Sequence, residues 1–313
     1  MDRSQKTLIL VNPAAGGGRA KRALPRVADY LRRQGFNADF TEPRSAGEFR
    51  RCAAAAAGAG YRCVAALGGD GTFQQLVRGA LGTDLILGLL PAGGGNDVAA
   101  ALGLPQDPVA AAHVFLHSQP RPMDVLRARF ARGNADFYVG GGGLGLDAQA
   151  ARLASGKFRG LPGAARYIAG ALWALAAFQP FRVEAELDGG TPTAGGETQR
   201  AAVGGTVLLA AVANTPTYGA GVKIAPSARV DDGLLELVLV GALSWTRLVE
   251  VIPMMLRTGD VRAPEVRRFR ARRVVLRADR PVLFHGDGEV FGEAPVEIET
   301  LPGAIRVVAP PGR

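Results

Sequence analysis

The sequence predicts an α/β domain built on a Rossmann-like parallel sheet, followed by an antiparallel β-sandwich with helical insertions. Three observations predict it. The first third alternates short apolar runs, glycine-rich turns and helix-period segments, which is the rhythm of a parallel sheet with ligands at its carboxyl ends. Near Pro120-Arg121-Pro122 that rhythm gives way to mostly strand-like segments. The 313 residues exceed one typical core and suit about two domains. The division falls at 1–122 and 123–313, with the last residues free to pack back on the first domain.

Thr7–Val11 reads as a strand leading into the turn Asn12–Gly18. Ala20, Leu24, Val27 and Leu31 then recur at helical spacing, with Pro25 arguing for a kink or a later start. Phe36–Thr41 is a second strand, and Ser45-Ala46-Gly47-Glu48 is a capping box that opens a helix through the alanine run to Ala57. Cys63–Leu67 is a third strand, ending in Gly68-Gly69-Asp70-Gly71-Thr72 ahead of Phe73-Gln74-Gln75. Leu85–Leu90 is a fourth, ending in Pro91–Asp97, with a helix from Asp107 to about His117.

Later strands are expected at Asp124–Phe130, Asp136–Gly140, Arg182–Leu187, Thr206–Ala213, Leu234–Val240, Arg273–Leu276, Pro281–Phe284, Pro295–Glu299 and Ala304–Val308. Helical insertions are expected at Ala164–Phe178 and Trp245–Leu256.

Composition narrows the function classes. Hydrophobic residues make up 48% and charged residues 21%, so the chain folds. A net charge of +9 favours an anionic partner: nucleic acid, phosphoryl groups or an acidic membrane surface. Aromatic residues are only 6% and do not interleave with basic ones, which argues against nucleic acid. Two cysteines, Cys52 and Cys63, make no disulfide framework and suit a reducing cytoplasm. The charge-free span Ala201–Val222 is broken by glycine, asparagine and proline, so it reads as strand and turn and not as a membrane helix.

Each motif has a bland reading beside the functional one. Gly-Gly-Asp-Gly alone can be a structural turn. Three such turns at successive strand ends of one sheet would line one crevice, where backbone N–H groups and helix dipoles suit phosphate. No P-loop signature exists, and Gly140, Gly142 and Gly145 satisfy Gly-x-Gly-x-x-Gly only inside the β-rich half, where it is a decoy. His113 and His117 lack further ligands at zinc spacing. Asp231-Asp232-Gly233 and His285-Gly286-Asp287-Gly288-Glu289 read either as hairpin turns or as a hard-cation site and a base for phosphoryl transfer to a hydroxyl.

Together these motifs resemble the diacylglycerol kinase catalytic-domain family, bacterial soluble lipid kinases related to sphingosine kinases. The match comprises Asn12-Pro13, Thr41, Gly68–Thr72, Pro91–Asp97, Gly145-Leu146-Asp147, Tyr218–Gly221, Ala225-Pro226, Asp232-Gly233 and Asp287-Gly288-Glu289. The resemblance implies an ATP- and Mg2+-dependent kinase acting on a lipid hydroxyl at a membrane surface, most simply diacylglycerol, in phospholipid metabolism. ATP and lipid would meet between the two domains. It implies that Asn12, Pro13, Thr41, Gly68, Gly69, Asp70, Gly71, Thr72, Phe73, Gln74, Gly94, Asn96 and Asp97 hold the nucleotide. Asp70 would act through the nucleotide's Mg2+ or by shaping its loop. Glu289 would accept the alcohol proton, with Asp287 beside it on the catalytic Mg2+ or the substrate. Asp232, with the carbonyls of Arg229 and Leu234, would hold a structural Mg2+. A cytoplasmic protein, peripheral on the inner membrane face, with room for a homodimer and no nucleic-acid partner, completes the expectation.

Two departures stand out. The family usually has Gly-Thr-x-Asn-Asp where this chain has Gly93-Gly94-Gly95-Asn96-Asp97, so the hydroxyl at position 94 is missing. It usually has Asn-Glu where this chain has Gln74-Gln75. Competing readings are a soluble-substrate kinase of the NAD-kinase type and a catalytically weakened nucleotide- or lipid-binding regulator. The apolar helix around Leu248–Leu256, and another holding Trp173, would either cover the core or line an acyl groove. The arginines of Val266–Arg280 would either solvate a strand face or add roughly 1 kcal/mol each toward anionic lipid.

Overall fold

The computed structural model describes residues 6–145, 179–189, 201–217, 219, 221–242, 247, 254 and 263–311. It divides into two compact units, Met1–Asp124 with Gly303–Arg313, and Val125–Pro302.

The first unit is α/β. Its order is β1 (Thr7–Val11), α1 (Ala15–Arg33), β2 (Ala38–Thr41), α2 (Ala46–Ala56), β3 (Cys63–Gly68), α3 (Asp70–Ala80), β4 (Ile86–Pro91), α4 (Asp97–Ala101) and α5 (Pro108–His117). The strands pair in parallel in the order β2-β1-β3-β4. The end of the last strand, at Arg306 and Val307, adds in parallel beside β4. Every residue of β1 and β3 is buried, as expected of central parallel strands covered on both faces.

The helices start where their capping chemistry says. Ser45 accepts the Glu48 N–H while the Glu48 carboxylate accepts the Arg44 N–H, opening α2. Asp107 accepts the N–H groups of Val109 and Ala110 ahead of Pro108 at the first turn of α5. Helix α1 continues through Pro25, and its irregular part lies at Gly16–Gly18 instead. The core of this unit joins Ile9, Val11, Val27, Leu31, Leu67 and Phe115.

The second unit is antiparallel. It contains most of β5 (Pro120–Phe130), then β6 (Ala135–Tyr138), β7 (Gly141–Gly145), β8 (Phe181–Asp188), β9 (Ala201–Ala213), β10 (Leu235–Gly241), β11 (Val266–Ala271), β12 (Arg273–Ala278), β13 (Leu283–Gly286), β14 (Glu289–Glu293) and the first part of β15 (Val296–Val308). The path β14-β13-β7-β9-β8-β12-β15 carries the sheet, and β10 joins β9 and β11. Strand β8 alternates buried and exposed residues, the period-two pattern of a sheet with one face on the core. That core includes Tyr138, Phe181, Leu237, Leu276 and Phe284, and a second cluster around Ile224, Val238 and Val266 sits apart from it.

Several elements differ from expectation for physical reasons. The sequence pattern does not predict strand β7, because its glycines carry no side-chain pattern. A Cβ on Gly142 would lie 2.3 Å from the His285 carbonyl, and one on Gly145 2.5 Å from that of Leu208. These glycines therefore serve close backbone approach between strands, which disposes of the dinucleotide decoy. Strands β11 and β14 were also unforeseen, their arginines, glycine and glutamates masking any alternation. The predicted strands at 295–299 and 304–308 are one continuous strand, β15. The helices expected at Ala164–Phe178 and Trp245–Leu256 lie outside the described residues, save Arg247 and Met254. Asp147, Tyr218 and Ala220 also lie outside them.

Candidate active site

In the first unit the three glycine-rich turns converge. Asn12 follows β1, and its side-chain amide donates to Thr72 Oγ1 at 3.0 Å, tying the first turn to the second. Its Oδ1 accepts the Ala14 N–H at 3.2 Å, which shapes the turn through Pro13. Gly16, Gly17 and Gly18 all have left-handed φ, at 59°, 64° and 83°. A Cβ on Gly16 would also stand 2.2 Å from the Ala92 carbonyl, so the first turn closes against the end of β4. A Cβ on Gly93 would stand 2.5 Å from Gly69 Cα. The second and third turns thus meet backbone to backbone, an approach only glycines permit.

Gly69 is the N-cap of α3 and has no side chain to satisfy the first helical N–H groups. Thr72 is buried, and its Cβ and hydroxyl pack against Gly68. Gly71, Gly94 and Gly95 are exposed. Exposed glycine backbone in the first turn of α3 and in the third turn thus makes a site suited to an anionic oxygen cluster such as phosphate.

The acidic members of the cradle are engaged with the protein itself. The Asp70 carboxylate accepts the N–H groups of Asp97 and Val98, both at 3.0 Å, and so caps α4 from the neighbouring turn. Burial, then the Asp97 charge, pushes the Asp70 pKa up to about 6 against the opposing pull of these backbone hydrogen bonds. Asn96 has a left-handed φ of 60°. Its Oδ1 accepts the Gly93 N–H at 2.8 Å, and its amide donates to Gly93 O and to Gln106 Oε1. Asp70 and Asn96 therefore hold the loops in shape. Gln106 was not singled out in the sequence, where it carries no motif.

The remaining predicted nucleotide residues separate by exposure. Thr41 closes β2 and is exposed, one strand away from the turns. Phe73 is fully buried and Gln74 is equally buried, so both offer a ligand only their backbone. Gly94 has nothing within 4 Å of a Cβ and no left-handed φ, so a side chain fits there.

In the second unit, Asp287 and Gly288 form the turn between β13 and β14, with left-handed φ of 48° and 84°. The Asp287 carboxylate accepts three backbone N–H groups, from Val139 at 2.8 Å, Gly140 at 2.9 Å and Gly141 at 3.2 Å. It fixes the segment entering β7, and Asn214 reinforces that segment by donating to Val139 O. The importance of residues 139–141 was not legible in the sequence beyond the run Gly140–Gly143. Glu289 follows as the first residue of β14 and is half-buried. His285 is buried behind the turn.

The third acidic constellation centres on an ion pair. Asp232 Oδ1 accepts the Leu234 N–H at 3.1 Å, and Oδ2 accepts a charge-assisted hydrogen bond from the Arg270 guanidinium. Arg229 lies 3.6 Å from Asp231. Among the described residues no group of three or more His, Cys, Asp or Glu is disposed to hold a metal ion. The Asp232 carboxylate, the side-chain member of the set expected with the carbonyls of Arg229 and Leu234, therefore already has the Arg270 guanidinium as a partner.

The basic stretch is largely engaged with the protein. Arg273 pairs with Glu297, Arg277 with Glu186 and Arg270 with Asp232. Arg267, Arg268 and Arg280 donate to the carbonyls of Gly204, Ile224 and Gln179. His113 and His117 stack with ring centroids 4.2 Å apart, and His113 meets the Tyr30 hydroxyl, a surface arrangement on α5. No helix among the described residues is long and apolar enough to cross a membrane.

Residues 6–128 match the diacylglycerol kinase catalytic domain. Residues 142–309 match the YegS C-terminal NAD kinase beta sandwich-like domain. A diacylglycerol kinase of Mycobacterium tuberculosis (strain ATCC 25618 / H37Rv) is 29% identical over 306 residues, covering 97% of this chain and 95% of its own length. A diacylglycerol kinase of Bacillus subtilis (strain 168) is 26% identical over 309 residues, covering 98% and 97%. The crystal structure of a diacylglycerol kinase from Bacillus anthracis str. Sterne shares the fold, with a TM-score of 0.72 at 20% identity over 98% of this chain and 97% of that one. With both of its domains accounted for in order, the chain belongs to the diacylglycerol kinase catalytic-domain family with a YegS-type C-terminal domain, phosphotransferases with an alcohol acceptor.

Proposed function

We propose that this chain transfers the γ-phosphoryl group of ATP to the hydroxyl of a lipid of the diacylglycerol class. The observation that carries the reading is the convergence of three glycine turns, tied by Asn12 to Thr72 and by the contact of Gly69 with Gly93. Such a cradle binds a polyphosphate through backbone N–H groups and the α3 dipole, with no need of a P-loop lysine.

In this reading the backbone at Gly69–Gly71, exposed at Gly71, and the exposed Gly94 and Gly95 orient the phosphates, and Asn12 and Asp70 hold the turns rigid around them. Mg2+, entering with the nucleotide, would neutralise phosphate charge as phosphoryl transfer requires. Glu289 takes the proton from the acceptor hydroxyl as its oxygen bonds to the γ-phosphorus. The bond from that phosphorus to the bridging oxygen breaks, and ADP leaves with the electron pair. Asp287 acts as a positioning residue, presenting Glu289 from a turn locked by three N–H groups. Catalysis then rests on orientation and electrostatics.

The acceptor would be met at a membrane surface by a protein working from the cytoplasmic side. Arg270, Arg273 and Arg277 pair with carboxylates and lend that docking little charge, and the apolar residues in the sequence Leu248–Leu256 support it further. A second reading, phosphorylation of a soluble dinucleotide, is favoured by the NAD kinase-like description of the C-terminal domain.

The deciding experiment incubates the protein with radiolabelled ATP and Mg2+, in separate reactions with lipid-extract vesicles and with NAD. Labelled lipid identified by mass as a phosphatidic acid supports the proposal. Label on NAD, or no transfer despite ATP binding, rejects it.

A further inference from the structure

We propose that Arg270 is a built-in cation of the second unit, standing at Asp232 where a divalent ion would otherwise be expected, so that this unit needs no metal to fold. The register of β10 and β11 sets Arg270 directly opposite Glu236. Glu236 is 2% exposed, and among the described residues neither of its carboxylate oxygens accepts a hydrogen bond. Arg270 Nε lies 3.7 Å from Glu236 Oε1, the ion pair that offsets this buried charge. From the same guanidinium, Nη2 donates to Asp232 Oδ2 in the turn that precedes β10. One side chain therefore bridges two carboxylates, and its fork of N–H donors is suited to both.

This double commitment argues against exchange with a metal. To admit a divalent ion at Asp232, Arg270 would have to swing away. Glu236 would then be left as a buried, uncompensated carboxylate, a strongly unfavourable state. If Arg270 stayed, the incoming ion would face a positive charge at hydrogen-bond distance from the same carboxylate. Arg270 cannot lose its charge at any ordinary pH, so the pairing holds throughout the working range. The left-handed Gly233, with φ 73°, lets the turn bring Asp232 back over the strand to meet it.

The test needs neither nucleotide nor lipid, so it stands apart from the proposed catalytic activity. Melting temperatures of the full chain are compared in EDTA and in millimolar Mg2+, for wild type, Arg270→Gln and Asp232→Asn. Wild type is expected to melt at the same temperature in both. Arg270→Gln should melt about 5–10 °C lower in EDTA and recover part of the loss in Mg2+, because two carboxylates now lack a cation. Arg270→Lys should remain insensitive to Mg2+. Metal content of wild type dialysed against Mg2+ or Mn2+ is measured alongside, which decides the matter even if Arg270→Gln does not fold. A stoichiometric ion bound by wild type and lost in Asp232→Asn, or a wild-type melting temperature that falls on chelation and does so only with Asp232 intact, overturns the proposal.

Discussion

The carboxylate of Asp70, in the first turn of α3, accepts the backbone N–H of Val98, in the first turn of α4, at 3.0 Å. One acidic side chain thereby couples the second and third glycine turns, and its proton affinity becomes a property of both. Its pKa of about 6 lies above the ordinary 3.8, with burial the larger cause and Asp97 the smaller. The folded state therefore holds a proton here more tightly than the unfolded chain does. This group's contribution to stability increases as pH falls from 7 through 6 toward 4, by at most about 3 kcal/mol. Other carboxylates, such as Glu297, whose pKa is lowered chiefly by its hydrogen bond from Arg273, oppose that trend. Urea midpoints of wild type and Asp70→Asn across this range should therefore diverge, with the variant lacking the Asp70 increment. Parallel curves would reject the assignment.

Position 94 offers the cleanest test of the cradle. Gly94 has open space around a Cβ, whereas Gly93 faces Gly69 at 2.5 Å. Gly94→Thr should leave stability within about 0.5 kcal/mol of wild type and tighten ATP binding by up to about tenfold, one added hydrogen bond to a charged group. Gly93→Ala should lower stability by more than about 1 kcal/mol and weaken ATP binding, because the turns must part. Calorimetric titration with ATP and a thermal melt distinguish the two. Equal behaviour of both variants would count against a cradle in this place.

Asn12→Ala removes the tie to Thr72 and leaves every glycine in place. The expected cost is about 1 kcal/mol of stability, the usual worth of one hydrogen bond. In steady-state kinetics KM for ATP should rise severalfold with a smaller change in kcat, since the loss is of phosphate positioning before the chemical step. An unchanged KM would place the nucleotide elsewhere.

Glu289→Gln and Asp287→Asn are expected to fail differently. The first should keep its melting temperature and its affinity for ATP while kcat falls by about 10²–10⁴, the usual worth of a general base. The second turns one of the two oxygens that accept three backbone N–H groups into an NH2 donor facing an N–H, so its melting temperature should fall together with kcat. A Glu289→Gln enzyme with near-normal turnover would remove it from the role of proton acceptor.

Much of the architecture was legible because its signals are local. The capping box at Ser45–Glu48, the Asp107-Pro108 start and the apolar runs within β1 and β3 each depend on residues within a few positions of one another. The glycine turns were legible as turns for the same reason. Strand β7 was not, since four consecutive glycines carry no periodicity and acquire a strand conformation only by pairing with β13 and β9.

Local patterns along the chain specify a parallel α/β unit followed by an antiparallel one, the places of the glycine turns and the carboxylates that stand near them. The partners of each carboxylate come from packing between distant parts of the chain. Asp70 and Asp287 spend their oxygens on backbone N–H groups that lie 27 and about 147 residues away along the chain. Asp232 meets an arginine 38 residues on, brought to it by strand register. A carboxylate's role follows from the donors and cations that surround it in space, and those are set by packing across the sheet, which no short stretch of sequence encodes.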